Sequence, residues 1–175
     1  MKKYTKTSLA LDTVTLHGVF LALFDKGVLL VGPSGCGKSE CALALLNRSA
    51  KLICDDAPLF TQNESLIIGR SPESLQNLLE IRGLGIVDVT ALFGSQVMLP
   101  EKPLDLIIEF NPLISEDDEY ERVIQPNLKT KCILGNEIPH LTLSLVFSRN
   151  MAILVETAVR LVFSSSSPTV ELLLK

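Results

Sequence analysis

The sequence predicts an α/β fold, a mixed β-sheet with flanking helices built around a phosphate-binding loop. A short apolar strand at residues 28–31 leads into a glycine-rich loop, and a helix-forming stretch follows from Ser39. That strand, loop and helix order is the context in which such a loop binds phosphate. Two apolar, β-branched runs precede this strand, with a break near His17 and a turn at residues 24–27. They predict a hairpin, so the sheet should contain antiparallel as well as parallel strands.

The loop, called here the phosphate loop, matches the pattern G-x-x-x-x-G-K-[ST]. Its residues are Gly32, Pro33, Ser34, Gly35, Cys36, Gly37, Lys38 and Ser39. Glycines let successive backbone N–H groups point at phosphate oxygens, and the helix N-terminus adds a partial positive charge. Lys38 would reach the β- and γ-phosphates, and the Ser39 hydroxyl would bind Mg²⁺. The alternative, a glycine-rich turn that only caps a helix, is disfavoured by the specificity of the motif.

Length and charge restrict the class of protein. The chain has 175 residues, 47% of them hydrophobic, which suits one domain with a sizeable core. Its net charge of −4 and its lack of a basic run argue against nucleic acid and membrane-surface partners. No apolar stretch is long enough to span a bilayer. We expect a flexible N-terminus at residues 1–7, a catalytic domain at residues 8–164 and a C-terminal tail at residues 165–175.

The cysteines indicate free thiols. Cys36, Cys41, Cys54 and Cys132 show no C-x-x-C spacing, which argues against a zinc site. A disulfide at Cys36 would disturb the phosphate loop. The simplest interpretation is reduced cysteines in a cytoplasmic protein.

Two adjacent carboxylates follow the next predicted strand. Asp55 and Asp56 come directly after the apolar residues 51–54. A phosphate-loop protein places a carboxylate near Mg²⁺ or the attacking group at such a strand end. A turn in which one aspartate caps the local backbone is the alternative. The nearby phosphate loop favours the functional interpretation.

Charged residues also interrupt the apolar run at residues 78–89. Burying Glu80 and Arg82 without partners would be costly, so we expect them to face a site or each other. Glu109, near the end of a predicted strand at residues 104–110, is a further candidate carboxylate, although an edge or solvent-facing position is favoured. The remaining pattern predicts a strand at residues 66–69, a helical turn at 89–93, a solvated polar loop at 114–131, a strand at 140–147 and a helix at 149–163.

These motifs together resemble a known family. The phosphate loop, the aspartate pair and above all the segment E-I-R-G-L-G-I at residues 80–86 look like the catalytic domain of the HPr kinase/phosphorylase family. The resemblance covers roughly residues 9–163. It implies a fold related to phosphoenolpyruvate carboxykinase, and ATP and Mg²⁺ as cofactors. It also implies an HPr-like phosphocarrier protein as the serine-bearing substrate, and homo-oligomers, often hexamers.

The resemblance also implies roles for particular residues. The family's functional positions fall on the catalytic residues His17, Lys38, Asp55, Asp56 and Arg122 and on the magnesium ligands Ser39 and Glu80. Taken alone, His17 would be a structural strand histidine. Either Asp55 or Asp56 would accept the proton of the substrate serine.

This sequence departs from the family in two places. Larger members carry an extra N-terminal domain, and the resemblance leads us to expect a short form that consists of the C-terminal catalytic domain only. The family's P-V-R-P-G-R loop, tied to dephosphorylation, corresponds here to residues 144–149, where only Arg149 is retained. We therefore expect a protein-serine kinase with weak or absent reverse activity. The alternatives are a small-molecule kinase and a non-enzymatic, nucleotide-gated binding module. A regulatory GTPase is disfavoured because no N-K-x-D segment occurs.

Overall fold

The computed structural model describes residues 12–112, 127–145 and 150–164. These residues form twelve strands, three α-helices and two short 3₁₀ turns at Glu73–Leu75 and Ser95–Val97. The strands are β1 (Thr13–Thr15), β2 (Val19–Leu23), β3 (Lys26–Val31), β4 (Lys51–Cys54), β5 (Leu59–Asn63), β6 (Leu66–Arg70), β7 (Leu78–Ile81), β8 (Gly85–Asp88), β9 (Glu101–Pro103), β10 (Leu106–Pro112), β11 (Asn127–Ile133) and β12 (Asn136–Leu145). The helices are α1 (Lys38–Leu46), α2 (Val89–Phe93) and α3 (Met151–Phe163).

The central sheet is mixed, as the hairpin before the phosphate loop predicts. Its strand order is β11-β12-β10-β3-β2-β4. β10 runs parallel to both β3 and β12, whereas β2 is antiparallel to β3 and to β4. β3 therefore ends at the carboxyl edge of the parallel strands. Ligands of open α/β sheets bind at that edge.

Both faces of the central sheet are covered, because its strands alternate apolar side chains on the two sides. On one face, Leu30 and Ile108 join Leu45 of α1 and Val155 of α3 in the larger core. On the other face, Phe20 packs against Phe60 with ring centroids 5.0 Å apart. Phe60 belongs to a second, four-stranded sheet in the order β1-β5-β6-β9.

The hairpin of β7 and β8 forms a separate two-stranded sheet beside α1. Leu79 and Ile81 are buried in the core that includes α1. The alternate positions, Glu80 and Arg82, are exposed. The side of the hairpin away from the core therefore carries its charged residues, as a period of two requires.

Most predicted elements are confirmed, but several strands were not predicted. These are β5, β7, β8 and β9. Residues 127–131, expected in a solvated loop, form most of β11, which pairs antiparallel with β12. β11 is an edge strand, and its Lys129 and Lys131 are exposed. Edge strands often carry lysines because charge discourages further pairing, so a polar composition there does not exclude a strand.

Candidate active site

The phosphate loop connects the end of β3 to the start of α1. At its first residue the chain approaches β10 closely, since a Cβ added to Gly32 would lie 2.7 Å from the carbonyl oxygen of Phe110. Only glycine allows that approach without displacing backbone. The loop is thus held against the neighbouring parallel strand, and it delivers its N–H groups at the N-terminus of α1.

Lys38 is held against the first residues of the loop. Its Nζ donates hydrogen bonds to the carbonyl oxygens of Gly32, at 3.0 Å, and Pro33, at 2.9 Å. The Cys36 Sγ lies 3.9 Å from the same Nζ. These contacts keep a cationic group beside the cleft that Lys38 lines.

Asp55 joins three separate segments. The Ser39 hydroxyl donates to its Oδ1 at 3.3 Å, and the backbone N–H of Glu80 donates to its Oδ2 at 2.9 Å. The residue is only 7% exposed. Burial raises the pKa of the Asp55 carboxyl above its usual value, and the two hydrogen bonds oppose this rise. Both carboxylate oxygens are therefore engaged within the protein.

Asp56 differs sharply from its neighbour. Its φ of +72° turns the chain, and its side chain is largely exposed. Aspartate tolerates this left-handed conformation better than most residues. Asp56 Oδ1 lies 3.8 Å from Nδ1 of His17, which is also exposed. The Gly18 N–H donates to the Asp56 carbonyl oxygen at 2.9 Å, which ties the aspartate turn to the segment before β2.

A single cleft collects most of the residues that the sequence singled out. Its walls include residues of the phosphate loop, both aspartates, Glu80 and Arg82. The residues that line it are Gly18, Val19, Ser34, Gly35, Gly37, Lys38, Ser39, Glu40, Asp55, Asp56, Glu80 and Arg82. Glu80 and Arg82 thus face the site. His17 stands at the rim beside Asp56 and lines a second pocket with Gly32 and Pro33. Arg122 and Arg149 lie outside the described residues.

Glu109 has a local partner outside this cleft. Its Oε2 lies 2.9 Å from Nε2 of His140 on the neighbouring strand β12. Glu109 remains half-exposed, in agreement with the solvent-facing interpretation. Arg82 is the residue that the sequence pattern noted without assigning a role. Its position becomes clear only when the β7–β8 hairpin is folded against the phosphate loop.

The donor set of the cleft fits Mg²⁺ carried by a nucleotide. The Ser39 hydroxyl and the carboxylates of Glu80, Asp55 and Asp56 are all hard oxygen donors, which this ion prefers. Within the described part of the chain, no group of three or more histidine, cysteine or acidic side chains is arranged to hold a metal by itself. Magnesium in phosphoryl-transfer sites takes one or two protein ligands and completes its shell with phosphate and water. In the same residues, no helix is both long and apolar enough to cross a membrane.

The fold and this cleft define a phosphate-loop protein of the α/β class. Residues 8–169 match the family model described as the HPr serine kinase C-terminal domain. The chain belongs to that family, which confirms the resemblance drawn from the sequence, and the family is one of enzymes.

Individual relatives agree. The HPr kinase/phosphorylase of Xylella fastidiosa (strain M12) is 43% identical over 150 residues, covering 84% of this chain and 47% of the relative. The HPr kinase/phosphorylase of Stenotrophomonas maltophilia (strain K279a) is 42% identical over 151 residues, covering 85% and 48%. The solved Hpr(Ser) kinase/phosphatase of Coxiella burnetii superposes with a TM-score of 0.75 at 33% identity, covering 84% of this chain and 88% of that one. The chain spans about half the length of the curated relatives it matches.

Proposed function

We propose that this chain transfers the γ-phosphoryl group of ATP to a serine hydroxyl of an HPr-like phosphocarrier protein of the phosphotransferase system. The observation that carries the proposal is the cleft itself, in which a complete phosphate loop stands opposite the aspartate pair. Membership of the family, and the names of its relatives, support the choice of a serine-bearing protein as the acceptor.

The nucleotide side of the site uses the loop and its neighbours. The N–H groups of the loop and the N-terminus of α1 would bind the phosphates, with Lys38 at the β- and γ-phosphates. Ser39 and Glu80 would hold the Mg²⁺, which neutralises phosphate charge when bound. Asp55 keeps both ligands in position, because one of its oxygens accepts from the Ser39 hydroxyl and the other from the Glu80 N–H.

The acceptor side uses Asp56. Its exposed carboxylate has no hydrogen bond within the described residues, so it is available to accept the serine proton. In the transfer, a bond forms between the serine oxygen and the γ-phosphorus, the bond between that phosphorus and the β–γ bridging oxygen breaks, and ADP leaves. His17, beside Asp56, would orient that carboxylate. By resemblance, Arg122 would stabilise charge on the transferring group.

The proposal also covers the cellular location, the oligomeric state and the reverse activity of the enzyme. The family resemblance supports a cytoplasmic homo-oligomer, a hexamer in many members. The departure from the family's P-V-R-P-G-R loop, of which only Arg149 is retained, supports weak or absent phosphorylase activity.

The deciding experiment is incubation of the protein with Mg²⁺, γ-labelled ATP and a serine-bearing HPr-like carrier. We expect label on the carrier, and none on a carrier whose acceptor serine is replaced by alanine. The Lys38→Ala variant should transfer about 10²–10³ times more slowly, because it lacks the cation that stabilises the phosphates.

Small hydroxyl compounds offered in place of the carrier separate the alternatives. Label on such a compound but not on the carrier would indicate a small-molecule kinase. Nucleotide binding without any transfer would indicate a nucleotide-gated binding module. Either result would overturn the proposal.

A further inference from the structure

The guanidinium of Arg82 lies against the phosphate loop at Gly35. A Cβ added to Gly35 would stand 2.8 Å from both terminal nitrogens of Arg82 and 3.0 Å from its Cζ. The planar cation therefore occupies the space that a side chain at position 35 would need. Arg82 and Gly35 line the same cleft as Lys38.

The backbone around Arg82 is fixed by the hairpin. Leu79 and Ile81, on either side of Glu80, are buried in the core. The Leu84 N–H donates to the Ile81 carbonyl oxygen at 3.0 Å, which closes the turn that contains Arg82. The Glu80 N–H is bonded to Asp55. The arginine thus projects from a supported position, although its own side chain is exposed.

Arg82 also lacks an anionic partner in the described part of the chain. Arg48, by contrast, donates two hydrogen bonds to Glu156, at 2.9 and 2.7 Å. Arg160 lies over the ring of Phe24, with its Cζ 3.8 Å from the ring centroid. Because Arg82 has no carboxylate partner among these residues and lies against an anion-binding loop, its N–H groups remain available to donate to phosphate oxygens. Its planar fork suits two of them at once.

We propose that Arg82 binds the terminal phosphoryl group of the nucleotide and stabilises its charge during transfer. This inference rests on the proposed function. It adds a second cation to the cleft that Lys38 lines, at Gly35. Lys38 itself is held by the Gly32 and Pro33 carbonyl oxygens. Arg82 forms no covalent bond in the step, and its role is electrostatic.

The test compares the affinity of each variant for ADP with its affinity for the β,γ-imido analogue of ATP, measured by calorimetry with Mg²⁺ present. Loss of charged hydrogen bonds to the terminal phosphate should weaken binding of the analogue to Arg82→Gln by about tenfold or more, and binding of ADP by less than about threefold. Arg82→Lys, which keeps the charge but not the fork, should fall between Arg82→Gln and the wild type. In the kinase assay, Arg82→Gln should transfer about 10²-fold more slowly.

Arg70→Gln is the matched control. Arg70 is an exposed arginine on β6 that lines a different pocket. Its replacement removes the same charge from the chain and should leave both affinities unchanged. Thermal unfolding of each variant checks that the fold persists. If Arg82→Gln does not fold, the two affinities are compared in Arg82→Lys instead.

Two results would overturn the role of Arg82. One is an equal loss of affinity for both nucleotides, and the other is a response of Arg82→Gln no larger than that of Arg70→Gln. If the wild type prefers the analogue through Arg82 but labels no acceptor, the proposed kinase function fails, while the binding of the terminal phosphoryl group by Arg82 stands.

Discussion

The Ser39 hydroxyl and the Asp55 carboxylate are joined by a hydrogen bond of 3.3 Å between Oγ and Oδ1. This bond links the end of the phosphate loop to the end of β4. Because the other oxygen of Asp55 accepts the Glu80 N–H, the buried aspartate organises the site from within. Asp56, one residue further on, faces solvent. Adjacent aspartates thus have separable roles.

Replacing each aspartate by asparagine should separate those roles. We expect Asp56→Asn to bind Mg²⁺-nucleotide normally and to transfer about 10²–10⁴ times more slowly, because it lacks the proton acceptor. Asp55→Asn should weaken nucleotide binding as well, since the ligands held by Asp55 lose a charge beside them. Calorimetry and turnover on the same preparations measure both effects. Full turnover by Asp56→Asn would exclude it as the base.

The ionised and buried carboxylate of Asp55 should also lower the free energy of unfolding at neutral pH. Its folded-state pKa is raised by burial, so the unfolded chain ionises first as pH rises. Wild-type stability is then lost between the ordinary carboxyl pKa and the raised pKa of Asp55. The Asp55→Asn variant avoids this loss: its amide oxygen can accept the Glu80 N–H, and its NH₂ can donate to the Ser39 hydroxyl. We expect it to melt at a higher temperature than the wild type at pH 7–8.

Thermal unfolding between pH 5 and pH 8 tests that prediction. The difference in melting temperature between Asp55→Asn and the wild type should shrink as the pH is lowered through the raised pKa of Asp55. Asp56→Asn is the control, because Asp56 is exposed and asparagine also tolerates a positive φ. An Asp55→Asn variant that is less stable than the wild type at every pH would contradict the assigned cost of burial.

Two glycines allow backbone strain to be separated from damage to the site. Gly35 has φ +77° and Gly135, in the β11–β12 turn, has φ +81°. Alanine at either position should cost about 1–2 kcal/mol through the left-handed conformation. Only at Gly35 would the methyl group displace Arg82, because nothing lies within 4 Å of a Cβ at Gly135. Similar melting temperatures with weaker nucleotide binding in Gly35→Ala alone are expected. Equal nucleotide affinity in both variants would contradict this.

The reverse reaction should be weak. In the segment that corresponds to P-V-R-P-G-R, Val146 replaces the first arginine, and Phe147 and Ser148 replace the proline–glycine pair. These residues lie outside the described ranges, so the prediction rests on their chemistry: neither a valine nor a phenylalanine side chain binds inorganic phosphate. Phosphorylated carrier incubated with enzyme, Mg²⁺ and excess phosphate should release little pyrophosphate. Release as fast as the forward reaction would refute the prediction.

The sequence predicted the phosphate loop and its strand and helix, because that local pattern is nearly sufficient to specify its own geometry. It could not distinguish Asp55 from Asp56. Their difference arises from one positive φ and from hydrogen bonds to segments distant in the chain.

Arg82 shows the same limit, since its contact with Gly35 exists only after the hairpin packs beside α1. β11 shows another, because the strand is specified by pairing with β12 and not by its polar composition. The local sequence pattern therefore predicted which residues form the site. How their contacts and exposure differ is visible only in the tertiary fold.

The parallel pairing of β3 with β10 has a consequence for synthesis on the ribosome. Leu30 pairs with Ile108, and the Gly27 N–H donates to Asp105 Oδ2 at 2.8 Å, so the strand that precedes the loop is completed by residues made much later. Such distant pairing forms late because a long loop must first be closed. The close approach of Gly32 to the carbonyl oxygen of Phe110 likewise cannot form in a nascent chain that ends before β10. We expect a partly synthesised chain not to bind nucleotide. Binding should begin only after the β10 segment has emerged from the ribosome.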